Sequence, residues 1–381
     1  MNVLFVTSTP FPTGMAATNR IRNYGLGLIE NNIYPEVVVY HSTEKGNRQD
    51  YNKNSGIWEK IKYRYPYSSI RSKSFIKRRI DDIRDKIWTI RYIYSSDNEY
   101  VYIYMNSLFF EALSIFSAKL AKKKLLRELC EYPYHKKFFL SKLNLRLFKF
   151  YDGIIAISQK LENIAQIASK SNAKVLKVPI LINSEELTSV RFINERPYIF
   201  HGGTLTEHKD AIVSTMKAFA IANKKLRGSV DFILAGPEST DVPLLKEIIV
   251  ANNLQDNVKF IGLISADEIK KYQNGAALCI LNKNDNLQNR CGFSTKLGEV
   301  LLSETAVITT TVGEANYWLR DGESAYITEP HKPELIADLI VRAFEDPQKR
   351  EQIAKNGKDI ALRNFDISVQ GPRLADFISK L

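Results

Sequence analysis

Short apolar runs rich in β-branched residues alternate with segments of helical period along this chain, and the alternation occurs twice. In the first half NVLFVT (2–7), EVVVY (36–40), YVYIYM, KLLREL and GIIAIS read as strands. Between them lie helical patterns such as AATNRIRNYGLGLIENN, with Ile21, Tyr24 and Leu28 on one face, and a basic helical region over about 74–94. The second half repeats the scheme with YIFHGG (198–203), DFILAG (231–236), VKFIG (258–262), ALCILN (277–282) and AVITT (306–310). Strands that regularly alternate with helices imply parallel sheets joined by right-handed crossovers. At 381 residues one core is too small for the chain, so two such domains are expected. The aperiodic stretch 183–197 is the expected linker. The domains are then 1–185 and 186–364, with a last helical pattern, 365–381, expected to return to the first.

Composition removes several function classes. The three cysteines, Cys130, Cys279 and Cys291, form no CxxC pair, which argues against a disulfide framework or a zinc site. The histidines, His135 among them, have no metal-ligand spacing, and no DxD occurs, so no metal requirement is expected. The N-terminal residues lack the charged start of a signal peptide, and no apolar run is long enough to span a bilayer. The expected home is the cytoplasm. Net charge is uneven: residues 1–190 hold 30 Lys and Arg against 17 Asp and Glu, whereas 191–381 hold 24 against 25. A basic half calls for an anionic partner, membrane lipid or nucleic acid, and no nucleic-acid motif is present. The segment KKFFLSKLNLRLFKF (136–150) reads either as a solvated helix over the core or as a membrane-surface helix.

Candidate chemistry gathers in the second half, where strands end at glycines. Open α/β sheets bind ligands at that edge. HGGTLTEHKD brings Gly203, Thr204 and Lys209 to the end of one strand. AGPE brings Gly236 and Pro237 to the next, and FIGLIS brings Gly262 to a third. CGFSTKLGEVLLSETAVITT (291–310) then places Ser294, Thr295 and Lys296 at a helix N-terminus and Glu299 one turn later. A helix N-terminus offers free N–H groups and partial positive charge to a phosphate. Simple capping by Ser294 or Thr295 is the alternative. Gly25 and Gly27 sit inside a helical pattern and read as helix packing, since no third glycine completes a dinucleotide fingerprint.

Taken together, GGTLTEHKD, GFSTKLGEVLLSETAVITT, VGEANYWLRDGESAYI, FVTSTPFPTGMAATNRI and YDGIIAISQKL resemble the GT-B glycosyltransferases, specifically the family-4-like retaining group. The resemblance covers nearly the whole chain. It implies an α/β protein of two Rossmann-like doubly wound domains facing a cleft, the first binding acceptor and the second a nucleotide-sugar donor. It implies that Lys209 binds the donor diphosphate and Glu299 the ribose hydroxyls, with Gly14 and Asn19 on the acceptor side. The family's arginine position holds Thr204 and its first glutamate position Cys291; Lys296 or Arg290 is left to replace the missing cation. For a first-domain catalytic group Glu128, Glu131 and His135 stay open, beside Lys209 at the leaving group. The implied reaction is retaining transfer of a hexose or N-acetylhexosamine from a UDP-sugar, or less favourably a GDP-sugar. The implied acceptor is a glycan or polyprenyl-linked intermediate in surface polysaccharide synthesis, at the inner face of the membrane. A nucleotide-sugar epimerase on the same fold and a non-catalytic nucleotide-sugar-binding subunit are the rivals.

Overall fold

The computed structural model describes residues 1–45, 52–133 and 138–381, and divides into two compact units. The first contains Met1–Leu181 and Ile367–Leu381, the second Ile182–Asp366. His135 and the start of the 136–150 segment lie outside the described residues.

The first unit is built on eight strands: β1 (Asn2–Thr7), β2 (Tyr34–Val39), β3 (Ser55–Trp58), β4 (Ile61–Arg64), β5 (Tyr100–Tyr104), β6 (Lys124–Leu129), β7 (Gly153–Ala156) and β8 (Lys174–Lys177). Their order is β3-β4-β2-β1-β5-β6-β7-β8, and all neighbours are parallel except β3 and β4. Val3, Phe5, Val37, Tyr102, Leu126 and Ile155 are buried in its core, as parallel strands covered on both faces require. The β3–β4 hairpin was not expected. Its turn residues Glu59 and Lys60 both adopt positive φ, 44° and 71°, without the Asn-Gly or Asp-Gly pair that advertises such a turn. Strand β8 is four residues with lysine at both ends and carries no apolar signal.

Helices Phe75–Ser95 and Leu108–Leu120 pack side by side, and Ser117 Oγ donates to the Ile90 carbonyl at 2.7 Å. Helix Ala16–Glu30 packs against the returning helix Ile367–Ser379. Their backbones come so close that a Cβ on Gly27 would stand 2.9 Å from Gly371 Cα.

The second unit has β9 (Tyr198–Gly202), β10 (Asp231–Ala235), β11 (Val258–Gly262), β12 (Leu278–Leu281), β13 (Ala306–Thr310) and β14 (Tyr326–Thr328), all parallel, in the order β11-β10-β9-β12-β13-β14. Ile199, Phe232, Leu234, Leu278, Ile280 and Ile308 form the middle of its core. The chain moves outward from β9 through β10 to β11, then returns to the other side of β9 with β12. The loops after β9 and β12 therefore flank the point where the winding reverses, which is where such sheets bind ligands. The stretch 183–197, expected as a linker, is tied into this unit: Phe192 N donates to Lys271 O, and Asn194 Nδ2 to Asp231.

Candidate donor site

At the C-terminal edge of the second sheet three expected glycines meet. Gly203 N donates to Ala235 O at 2.9 Å and Gly236 N to Gly262 O at 2.8 Å. A Cβ on Gly236 would lie 2.0 Å from the Gly203 carbonyl oxygen, so only glycine fits there. Gly262 has φ of 71° and open space around it, and Pro237 is exposed beside Gly236. These residues form a bare backbone rim rather than a set of functional side chains.

The charged centre of the site is a carboxylate the sequence did not single out. Asp210 ends the short helix Glu207–Asp210 after β9. Its Oδ2 accepts from Lys296 Nζ at 2.7 Å and its Oδ1 from Lys283 Nζ at 2.7 Å. Thr204 N also donates to Oδ2, at 3.2 Å, and Thr204 Oγ1 is 3.3 Å away. Lys283 follows β12, whereas Lys296 lies in the first turn of helix Thr295–Leu302, so the cluster bridges the switch point. The Asp210 side chain is only 6% exposed, Lys296 27%. Burial works against the charged carboxylate, but the attraction of Lys296 and then Lys283 overrides it and holds Asp210 well below its usual range. Burial lowers the pKa of Lys296; Asp210 pulls it back and Lys283 adds to the depression.

His201, inside β9, is buried under this cluster. Its Nδ1 faces the Ile280 carbonyl at 3.1 Å, and its Nε2, 3.8 Å from Asp210 Oδ2, has no hydrogen-bond partner among the described residues. Burial, reinforced by Lys296 and opposed by Asp210, lowers its pKa to about 4, so the ring is neutral at pH 7. A Cβ on Gly203 would meet Lys296 Nζ, Asp210 and His201 Nε2 all within 3 Å, which explains the glycine.

Ser294 is the N-cap of helix Thr295–Leu302, yet its side chain makes no capping bond. Ser294 and Thr295 are half-buried at an N-terminus whose first N–H groups are left for another acceptor. Glu299 is half-buried on the same helix, and its carboxylate has no hydrogen-bond partner among the described residues. Burial raises its pKa, with Lys296 and Lys270 opposing and Glu186 reinforcing the rise. Lys209, expected at the diphosphate, has an exposed side chain; only its carbonyl joins the cluster, accepting from Lys283 Nζ at 3.1 Å. Arg290 pairs outward with Asp285 rather than with Asp210. Of the two cations left to replace the missing arginine, Lys296 is the one in the cluster. Cys291 is fully buried.

In the first unit, a cavity of about 150 Å³ lies at the ends of β1, β5 and β6, lined by Ser8, Thr9, Asn106, Glu128 and Glu131 among others. Glu128 is sealed beneath it. Its carboxylate accepts from Arg20 Nε at 2.7 Å, from Tyr102 and from Cys130 Sγ at 2.9 Å. Glu131 is exposed. Gly14 is exposed and turns tightly over Thr18; Asn19 is half-buried in the following helix, and neither lines the cavity. Among the described residues no three His, Cys, Asp or Glu side chains are grouped to hold a metal ion.

Comparison with known proteins gives a match within the second unit. Residues 183–360 match the family model "Glycosyl transferases group 1". Among individual proteins, an alpha-D-kanosaminyltransferase of Streptomyces kanamyceticus is 24% identical over 187 residues, 48% of this chain and 45% of that protein. The chain thus matches about half the length of this curated relative. Across its full length it shares the GT-B fold with Anabaena HepE, solved with UDP (TM-score 0.72, 16% identity, all of both chains). It also shares that fold with the sucrose-phosphate synthase of Thermosynechococcus elongatus (TM-score 0.75, 12% identity, 100% of this chain and 99% of the other).

Proposed function

We propose that this protein is a retaining glycosyltransferase that moves a hexose or N-acetylhexosamine from a nucleoside diphosphate sugar, with uridine favoured over guanosine. The observation that carries the reading is the lysine pair on Asp210 beside the uncapped N-terminus of Thr295–Leu302, in a group 1 domain. Asp210 holds both ammonium groups in place and takes one N–H from each, and the Lys209 carbonyl takes a second from Lys283. An ammonium has three, so two donors on Lys296 and one on Lys283 are available to a diphosphate. As the sugar leaves, negative charge grows on that diphosphate. Fixed cations and helix N–H groups stabilise it without reorganising. The free carboxylate of Glu299 suits the ribose hydroxyls, which resemblance to the family also assigns to it. HepE, which shares the fold, has been solved with UDP-glucose as well as UDP, and this supports the uridine preference.

The acceptor in this reading is a glycan or polyprenyl-linked intermediate at the cytoplasmic membrane face, received by the first unit. No helix among the described residues is long and apolar enough to cross a membrane. The test is calorimetric titration with UDP and GDP, followed by transfer assays. Glu299→Ala should weaken UDP by ~10-fold or more, since one charged hydrogen bond contributes roughly 1.5–3 kcal/mol and 1.4 kcal/mol is tenfold. Unchanged affinity in a folded variant sinks the donor site. Tight UDP-sugar binding without transfer to any acceptor would favour the binding-subunit rival.

A further inference from the structure

The first unit carries two adjacent helices whose outward faces are apolar. On Phe75–Ser95 the exposed large side chains include Ile76, Ile80, Ile83, Ile87 and Tyr94, spaced as one stripe of an α-helix. The buried positions of that helix are Asp85, Thr89 and Ile93, so its more apolar side faces solvent. The neighbouring helix Leu108–Leu120 exposes Phe109, Leu113, Phe116 and Leu120, again at helical spacing. Ile76 is 71% and Phe109 78% exposed. Cations flank the stripes: Lys77, Arg79, Arg84, Arg91 and Lys119 are exposed, and no acid is exposed on either helix. Arg84 reaches Asp81 on the inner flank and Lys119 reaches Asp152, while Arg79 lies over the Phe75 ring. A contiguous apolar patch rimmed by one sign of charge marks a binding surface rather than ordinary exposure.

We propose that this two-helix face docks on an anionic lipid bilayer, with Ile80, Ile83 and Phe116 at its centre entering the acyl boundary and the flanking cations meeting headgroup phosphates. Apolar stripe plus cationic margin is the pattern of helices lying in a membrane interface. A second copy of this chain is the disfavoured occupant, because it would bring an equally cationic rim against this one. The helix Phe138–Leu147, the stretch whose sequence first suggested a membrane, fits less well. The segment through Phe150 exposes Phe139 and Phe150 near its two ends, with Lys142, Arg146 and Lys149 between. The proposal deepens the acceptor half of the proposed function and rests on it for what docking achieves: it brings the first unit to a lipid-linked acceptor.

The experiment is sedimentation of the full chain with phosphatidylcholine vesicles, with and without phosphatidylglycerol. Each cation near an anionic surface strengthens binding about fivefold, less as salt rises. Binding to the mixed vesicles should therefore exceed binding to neutral ones by ~10-fold or more and fall with added salt. An Ile80→Glu, Ile83→Glu, Phe116→Glu variant and a Lys77→Gln, Arg79→Gln, Arg91→Gln variant should each lose that binding. Their melting temperatures and UDP titrations should match those of the parent. Three results overturn the proposal: no pelleting of the parent at low salt, loss of pelleting in Phe139→Glu but not in the two-helix variants, or a parent dimer in the ultracentrifuge that Ile83→Glu turns into a monomer. Vesicle binding is read without nucleotide, so its failure with intact UDP binding sinks only the surface. Intact vesicle binding with no UDP binding sinks only the donor reading.

Discussion

Each unit buries a carboxylate near the C-terminal edge of its sheet and pairs it with cationic side chains, and the two clusters differ in how exposed those cations are. In the first unit, Glu128 and Arg20 are 0% and 3% exposed, and Tyr24, Tyr102 and Cys130 close the shell around them. In the second, Asp210 is equally buried, but its lysines reach water and keep donors unspent. A buried ion pair whose donor nitrogens are all engaged, as those of Arg20 are by Glu128, Pro179, Val178 and Tyr24, contributes architecture. An open one is a cation store that an incoming anion can share. The same chemistry thus forms a closed scaffold in one place and the proposed donor site in the other, and exposure of the cations is what separates them.

The largest effect expected from this contrast is on the sealed cluster. Arg20→Ala leaves the Glu128 carboxylate buried without its cation, which costs about 3–5 kcal/mol in denaturant unfolding. UDP affinity of the folded fraction should not move. The double change Arg20→Met, Glu128→Leu should recover most of the loss; if it does not, the pair does more than balance charge.

In the open cluster the effect moves from stability to turnover. Lys296→Ala should lower kcat by roughly 100-fold, the scale of losing one preorganised donor to a developing anion. Lys209→Ala, on an exposed side chain, should lower it only ~3-fold, because solvent screens such charges. Steady-state kinetics with a UDP-sugar decides this. The reverse ranking would mean that Lys209 swings in when donor binds and that the open cluster is structural.

His201 supplies a smaller, pH-linked effect. Its pKa lies near 4 in the fold against its usual 6.5, so below pH 6.5 the unfolded chain takes up a proton that the folded chain refuses. The contribution is full above about pH 6.5 and lost as pH falls through about 4. Between pH 7 and pH 5 it amounts to about 2 kcal/mol. Asp210, Lys296 and Lys283 face the ring, so His201→Gln should flatten this part of the urea stability profile while leaving the carboxylate limb at lower pH. An unchanged slope would show that the ring protonates in place.

Much of this was legible in the residues. Glycines 203, 236 and 262 marked the C-terminal edge of the second sheet because each ends an apolar run, whereas Glu299 was singled out by resemblance to a family. Asp210 and Lys283 did not stand out. They are 73 residues apart, and only the return of β12 to the side of β9 makes them neighbours. Chain order alone lists β10 and β11 between them. The Phe75–Ser95 stripe failed to show for a different reason. Helical spacing says that Ile76, Ile80, Ile83 and Ile87 share a face but not which way the face points, and the usual inward assumption is reversed here.

The return of helix Ile367–Ser379 to the first unit makes the second unit, in chain terms, an insertion between Leu181 and Ile367. On the ribosome, the second unit is therefore complete and able to fold while the first unit still waits for helix Ile367–Ser379. Until that helix arrives, the Gly27 side of Ala16–Glu30 is uncovered. Assembly of the first unit is in this way coupled to synthesis of a segment that follows the second, and a chain without helix Ile367–Ser379 would pair a finished second unit with an unfinished first one.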